Sequence, residues 1–288
     1  MHRTLFTAVS VIAAICTTQT SALSSPAKVT VFGGTGYVGS AVCERLVKKG
    51  YEVTGASRRG TNPRPGDKNL DKVNWVKCDA TNSNDVNQAV ANADAVVHAV
   101  GLLFDVNSGL TDLNKFTSAS GSVPGEDSTY DNITRKTMFN VIKAVEAKVK
   151  NPLRGLTGGG SGKIPLCFVS AAEVGWPDVK FGSTVEDKLA PEWLVRYLVA
   201  KRAVEERLGT SSAIRSVIYR PSLIWDWTKF DVLPVIPVFN IANFLGVPFV
   251  DKTVRVETLA DAIVSGIEND NISGVQRYMK MEELAKQQ

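Results

Sequence analysis

The residue types with the clearest chemical purpose form a glycine-rich segment at positions 33–39, between an apolar run and an amphipathic stretch. In a strand–turn–helix context, Gly33 permits a tight turn, Gly36 lets the main chain approach a pyrophosphate, and Gly39 lets the helix pack closely on a sheet. The free N–H groups and the positive dipole end of the helix would then face the phosphates. The pattern predicts a dinucleotide-binding loop, with cofactor contacts at Gly33, Thr35, Gly36, Tyr37, Val38 and Gly39.

The end of the second apolar run indicates which dinucleotide is bound. NAD-binding proteins usually place Asp or Glu there to bind the ribose hydroxyls. This chain has Ser57, Arg58 and Arg59, and a hydroxyl with two guanidinium groups suits a 2′-phosphate. NADP(H) is therefore the expected cofactor, with NAD as the alternative; a solvated basic loop is the purely structural explanation. Further cofactor contacts are expected after the third and fourth strands, at Asp79, Ala99 and Gly101.

A second pattern, Tyr197-x-x-x-Lys201, contains residue types that are suited to catalytic proton transfer. A spacing of four puts both side chains on one face of a helix, one turn apart. An ammonium group near a phenol lowers the phenol's pKa, so Tyr197 could exchange a proton with a carbonyl oxygen. The pattern alone is common, but here it follows a glycine loop in the expected order. We therefore predict Tyr197 and Lys201 as the catalytic pair.

Short strands that alternate with helices must position these residues. The sequence predicts strands at 28–32, 51–56, 73–77, 95–99, 165–170 and 214–219, and helices at 37–49, 85–91, 129–149, 191–208 and 257–267. This order predicts an α/β fold, a doubly wound parallel sheet of the Rossmann type with a small C-terminal cap. The expected division is a nucleotide-binding domain at 28–225 and a cap with C-terminal helices at 226–288. Within the cap, we expect the apolar segment 233–245 to be buried rather than to contact a membrane or a quinone tail.

Composition and the N-terminal sequence limit the possible functional classes and cellular locations of the protein. The chain has 288 residues and a net charge of +4, which is too mild a balance to favour nucleic acid. Residues 1–22 combine a basic start, a short apolar run and small residues, which predicts a cleaved signal or transit leader. The expected destination is a plastid or mitochondrion, with the secretory route as the alternative. After the leader we expect no transmembrane span, and with two His residues we expect no His-based metal site.

The ordered patterns resemble the short-chain dehydrogenase/reductase superfamily in its extended and atypical branches. The matching stretches are 31–39, 168–171, 197–201 and 219–222. The chain looks most like the atypical group that includes the Rossmann-type accessory subunit of respiratory complex I and a protein of coenzyme Q synthesis. The resemblance implies that the glycine loop binds pyrophosphate and that Tyr197 and Lys201 lie beside the nicotinamide. It also implies that Ser170 and Pro221 border the cofactor.

Two departures from that superfamily affect the expected activity. Where extended members carry a catalytic Ser after the fifth strand, this chain has Ala171, and Ser170 is one position early. Strand alternation should point Ser170 elsewhere. Thr134 stands where relatives tend to have the Asn that supports the Lys. Loss of one hydrogen bond to a substrate oxygen can cost a few kcal/mol in the transition state.

Two functions remain open on these residues. The first is an NADP(H)-dependent oxidoreductase that reduces a small hydrophobic carbonyl compound or a quinone intermediate, and the Tyr197/Lys201 pair favours it. The second is a non-catalytic nucleotide-binding accessory or assembly protein of an organellar membrane complex, and Ala171 favours that.

Overall fold

A computed structural model describes residues 27–114, 124–151, 162–227 and 236–288, so the predicted leader lies outside the described residues. The strands are β1 Lys28–Phe32, β2 Glu52–Ser57, β3 Asn74–Lys77, β4 Ala95–His98, β5 Ile164–Val169, β6 Ile214–Tyr219, β7 Ile224–Trp225, β8 Val254–Arg255 and β9 Gly274–Gln276. The helices are α1 Tyr37–Lys48, α2 Ser83–Val90, α3 Thr137–Lys150, α4 Gly182–Lys188, α5 Glu192–Gly209, α6 Ile236–Phe244, α7 Val256–Glu268 and α8 Tyr278–Ala285. A π-helical turn, Asp131–Lys136, precedes α3, and a 3-10 helix, Ala172–Asp178, follows β5.

The seven-stranded sheet has the order β3-β2-β1-β4-β5-β6-β9, and all of its strand pairs are parallel. Its central strands β4 and β5 are buried at every residue, as expected where helices cover both faces of a parallel sheet. One apolar layer includes Val42 of α1 and Leu259 of α7. The opposite layer includes Met138 of α3 and Val204 of α5. The predicted doubly wound α/β fold is therefore confirmed.

The segment after residue 225 contributes to this sheet. Strand β9 pairs with β6, and the buried guanidinium of Arg215 on β6 donates to the carbonyl oxygens of Gly266, Ile267 and Ile272 at 2.7–3.0 Å. These bonds hold the C-terminal end of α7 against the sheet. The division at residue 225 stays a prediction, but the sheet continues beyond it.

The expectation that segment 233–245 is buried is wrong for the part that the structure describes. In α6 only Ile236 is buried, and Phe244 is 86% exposed. The cause is the polar side of the helix, because Asn240 accepts from Thr253 and Asn243 donates to the Val250 carbonyl. These bonds fix one side of α6 to the following loop and leave its apolar side outward. Among the described helices, none is both long and apolar enough to cross a bilayer.

Candidate functional site

The glycine loop connects β1 to α1 in a tight turn. Gly33 has φ +76°, and a Cβ there would lie 2.8 Å from the Ala99 carbonyl oxygen. A Cβ at Gly39 would overlap the Gly33 carbonyl oxygen, so Gly39 permits close packing of the helix on the turn. A Cβ at Gly36 would meet only that same oxygen, at 3.0 Å. Gly36 is therefore the glycine whose missing side chain leaves space in front of the helix rather than inside the fold.

The N-terminus of α1 suits an anion. Gly36 is its N-cap residue, no side chain caps the helix, and the first turn contains no acidic residue. The first N–H groups of a helix have no partner within the helix and carry a partial positive charge. Backbone donors and the helix dipole thus face the space beside Gly36, which fits a pyrophosphate.

A cleft of about 450 Å³ opens at the carboxyl ends of β1, β2 and β4, where doubly wound folds bind nucleotides. It brings together nine of the predicted cofactor residues: Gly33, Thr35, Gly36, Ser57, Arg58, Arg59, Asp79, Ala99 and Gly101. Five others do not line it: Tyr37, Val38, Gly39, Ser170 and Pro221. The cleft therefore collects most of the residues expected around the adenosine and phosphates, and leaves out three residues of the glycine loop and the two expected around the nicotinamide.

The basic edge of this cleft is the turn after β2. The Ser57 hydroxyl oxygen accepts a hydrogen bond from the Gly60 N–H at 3.1 Å, which stabilises the turn. Arg59 donates to the Thr35 carbonyl oxygen at 3.4 Å and so lies next to the glycine loop. Both Arg58 and Arg59 are exposed at the cleft. Across it, Asp79 accepts from the Thr81 N–H and hydroxyl at 2.9 and 2.8 Å.

Tyr37 turns away from the cleft. Its phenol interacts with the Asp226 carboxylate, and burial followed by that negative charge raises the pKa of Tyr37. Val38 packs beneath the helix against the apolar layer. The side chains of these two residues thus connect the glycine loop to the rest of the fold, and only their backbone N–H groups are suited to contact phosphate.

The predicted catalytic pair lies on α5, outside the cleft lining. The Lys201 ammonium is buried, donates to the Val169 carbonyl oxygen at 2.6 Å, and lies 5.3 Å from the centre of the Tyr197 ring. Burial lowers the pKa of Lys201 to about 7, against the opposing effect of Glu205. Tyr130 stacks edge-on against Tyr197 at 5.4 Å. The structure therefore places the pair together, with a lysine that changes charge near neutral pH.

The expected lowering of the Tyr197 pKa is wrong for this structure. Burial raises the pKa of Tyr197, and the negative charge of Glu173 adds to the rise. Desolvation disfavours the phenolate, and a lysine whose own pKa is about 7 carries only part of a positive charge at neutral pH. Tyr197 therefore holds its proton firmly.

The loop after β5 explains what Ser170 does. Its hydroxyl donates to the Glu205 carboxylate at 2.5 Å, and Glu205 is also ion-paired with Arg220. The Pro221 carbonyl oxygen accepts a hydrogen bond from the Ala172 N–H at 2.8 Å, and this bond fixes the loop beside β6. The Ser170 hydroxyl is thus part of a buried network, and its assignment as a cofactor contact stays a prediction.

Sequence reasoning missed Glu173, on the first turn of the 3-10 helix after β5. Burial raises the pKa of its carboxyl group to about 7, against a hydrogen bond from its own backbone N–H that lowers it, and the negative charge of Asp251 adds to the rise. The sequence signal was available, because an acidic residue stands two positions after the missing serine. Among the described residues, no group of three or more His, Cys, Asp or Glu side chains could hold a metal ion.

Residues 29–123 match the model of the NAD dependent epimerase/dehydratase family. The chain is 22% identical to MIOREX complex component 2 of Saccharomyces cerevisiae, over 90% of this chain and 99% of that protein. An uncharacterized chloroplastic protein of Arabidopsis thaliana is 40% identical over 26% of this chain and 24% of that protein.

Solved structures share the fold. A short-chain type dehydrogenase/reductase from Mycobacterium ulcerans has a TM-score of 0.60 at 15% identity, over 90% of both chains. ElxO with NADP bound has a TM-score of 0.59 at 14% identity, over 88% of this chain and 96% of that one. A 3-ketoacyl-(acyl-carrier-protein) reductase from Brucella melitensis, complexed with NADH, has a TM-score of 0.58 at 16% identity, over 86% and 94%. Together with the family match, these likenesses confirm the resemblance to the short-chain dehydrogenase/reductase superfamily.

Proposed function

We propose that this chain binds NADP(H) and acts as an oxidoreductase that reduces a small hydrophobic carbonyl compound or a quinone intermediate. The observation that carries the proposal is the cleft beside the uncapped N-terminus of α1, which joins nine of the expected cofactor residues. The match of residues 29–123 to a family described as NAD dependent supports it. The ligands NADP and NADH in structures of similar fold support the same class of cofactor.

Residues of this chain fit distinct parts of such a cofactor. The glycine loop would hold the pyrophosphate, Arg58 and Arg59 the 2′-phosphate, and Asp79 the adenosine side. When bound, the nicotinamide would supply the hydride. Tyr197 would donate a proton to the substrate oxygen, and Lys201 would orient the ribose and stabilise the phenolate through its positive charge.

Preference for NADPH over NADH is tested at the exposed arginines. Each guanidinium that binds the 2′-phosphate should contribute about 1.5–3 kcal/mol as a charge-assisted hydrogen bond. Arg58→Ala and Arg59→Ala should therefore weaken NADPH about tenfold or more in calorimetry, and leave NADH almost unchanged. Arg64→Ala, on an exposed arginine paired with Glu44, is the matched control. Equal loss of both dinucleotides would contradict NADP selectivity.

The reductase activity is tested by Tyr197→Phe, with menadione as a hydrophobic quinone probe and NADPH oxidation as the readout. Loss of the proton donor should lower kcat about 100-fold while NADPH binding stays intact. Tyr51→Phe, which removes a phenol bonded to Glu268 far from the cleft, is the control. Unchanged NADPH oxidation in Tyr197→Phe would remove Tyr197 from the chemistry.

The second candidate is a non-catalytic nucleotide-binding accessory or assembly protein of an organellar membrane complex. Ala171 favours it, and so does the similarity to a component of the MIOREX complex over 90% of this chain. The predicted leader and the chloroplastic relative support an organelle as the location. Fractionation of a tagged full-length chain separates plastid, mitochondrion and secretory route. Stable co-purification with a membrane complex, without NADPH oxidation, would favour this second function.

A further inference from the structure

The polar and apolar sides of helix α6 are reversed relative to a helix that packs on a core. A core-packing helix turns its apolar side inward and its polar side outward. In α6, Asn240 accepts hydrogen bonds from the N–H and hydroxyl of Thr253. One turn later, the Asn243 amide donates to the Val250 carbonyl oxygen at 2.9 Å. The hydrogen-bonding side of the helix thus faces the protein, and the apolar side faces outward.

Four large apolar side chains form the outward side, which we call the α6 patch: Val238, Ile241, Phe244 and Leu245. Their exposed fractions are 64, 58, 86 and 71%. Spacings of three and four residues place Val238, Ile241 and Leu245 in one row along the helix, and Phe244 lies beside that row. The patch is therefore one continuous apolar surface rather than a set of separate exposed residues.

The charges nearest to the α6 patch along the chain leave a positive border. Residues 236–250 contain no ionisable side chain. Asp251 follows, but its side chain is 14% exposed and is paired with Arg277 at 2.6 Å. Lys252 comes next, and it is exposed, with its ammonium 5.0 Å from the centre of the Tyr278 ring. The apolar surface thus ends at an exposed cation.

The fold holds the segment after α6 in place. The Trp176 indole N–H donates to the Phe249 carbonyl oxygen at 2.9 Å, which joins this segment to the 3-10 helix after β5. That neighbouring stretch adds one exposed charge of each sign, Asp178 and Lys180, so the border keeps its positive sign. The α6 patch is therefore presented from a fixed support.

The size of the α6 patch distinguishes between possible partners. Its four side chains expose about 500 Å² of apolar surface. A standard protein interface buries about 800 Å² on each partner and has a polar rim, so a second copy of this chain would need contacts that the patch does not provide. A helix that lies in a membrane surface needs only one apolar side, buried about 5–10 Å deep, with basic residues at the lipid headgroups.

We propose that the α6 patch inserts into the surface of a bilayer that contains anionic phospholipid. Phe244 and Leu245 would enter the acyl-chain boundary, and Lys252 would contact the lipid phosphates. The nine-residue helix is about 14 Å long, so it lies in the surface and does not cross a hydrocarbon core of about 30 Å. This contact goes beyond the proposed function and does not depend on nucleotide binding or catalysis.

Vesicle flotation of the full chain measures the contact. Wild type should float with vesicles of phosphatidylcholine and phosphatidylglycerol. Phe244→Ser combined with Leu245→Ser should lower the partition coefficient about 30-fold or more, because two apolar side chains no longer leave water. Leu189→Ser combined with Val199→Ser removes side chains that are 76 and 56% exposed outside α6, and should float as wild type does. Wild-type flotation of the Phe244/Leu245 variant would overturn the proposal.

The lipid charge is tested at Lys252. One cation near an anionic surface contributes about fivefold to the partition coefficient. Lys252→Gln should therefore lose about that factor on vesicles with phosphatidylglycerol and bind unchanged to phosphatidylcholine alone. Lys143→Gln, at an exposed lysine on α3, is the matched control. A Lys252→Gln chain that still responds to phosphatidylglycerol as wild type does would contradict the anionic-lipid contact.

Hydrogen exchange locates the contact, because the same chain carries the apolar run of the predicted leader. Vesicles with phosphatidylglycerol should slow exchange in residues 236–250 and leave α5 unchanged. Slowing confined to residues 1–22 would assign the lipid binding to the leader and refute the role of α6. Sedimentation velocity without lipid tests the other occupant. Wild type and the Phe244/Leu245 variant should have the same mass, and a dimer that the variant dissociates would show a second copy on the patch instead of lipid.

Discussion

Gly36→Asp should separate nucleotide binding from folding in a single substitution. Gly36 has φ −79° and ψ 173°, which any residue adopts, and its Cβ would meet one atom, the Gly33 carbonyl oxygen. Asp is among the best N-cap residues, because its carboxylate accepts from the N–H groups of the first turn and complements the helix dipole. That gain offsets the tight contact, so the free energy of unfolding should change by less than about 1 kcal/mol.

Dinucleotide binding should respond very differently to Gly36→Asp. The new carboxylate takes the donors intended for the pyrophosphate and repels it. At about 5 Å and an effective dielectric constant of about 20, the repulsion is about 3 kcal/mol. That energy corresponds to roughly 100-fold in Kd.

Calorimetric titration with NADPH and urea unfolding measure the two quantities on the same protein. Asn271→Asp adds an equal charge in an exposed loop before the edge strand β9, four strands away from β1, and should bind NADPH as the wild type does. Gly39→Ala is the opposite case, because its Cβ would overlap the Gly33 carbonyl oxygen and should destabilise the fold by about 1–3 kcal/mol. A folded Gly36→Asp chain that binds NADPH within about threefold of wild type would refute the glycine-loop assignment.

Two further predictions concern buried cations. Arg215→Met should lower the free energy of unfolding by about 3 kcal/mol, because three carbonyl oxygens near the end of α7 lose their donor. Arg277→Met, at a surface ion pair, is the control and should cost less than about 1 kcal/mol in urea unfolding. Equal costs of the two substitutions would contradict the role assigned to Arg215. For Lys201, the folded-state pKa of about 7 lies below the ordinary value of 10.5, so the folded chain binds fewer protons than the unfolded chain between those values. Its contribution to stability therefore increases as pH rises from about 7 to 10.5 and is lost as pH falls. Lys201→Met should flatten the unfolding free energy across this window relative to wild type, and an unchanged slope would show that Lys201 is not the titrating group.

The fold was predicted from local patterns, in which residues close together in the sequence decide the secondary structure. Apolar runs of β-branched residues became β1, β4, β5 and β6 with boundaries within one residue of those expected. The glycine loop is equally local, since its turn, its helix start and its donors all come from residues 33–39. For this reason nine of the cofactor residues predicted from local patterns line one cleft.

The sequence by itself therefore determined the doubly wound sheet and the loop at its carboxyl edge, because strand pairing and turn geometry follow from residue type and spacing. Only the tertiary structure decided the chemistry around Tyr197. Contacts between distant residues bind Ser170 to Glu205, and burial on α5 raises the pKa of the Tyr197 phenol. The same kind of contact left the apolar side of α6 exposed. Proton affinity and burial depend on these long-range neighbours, which no local pattern specifies.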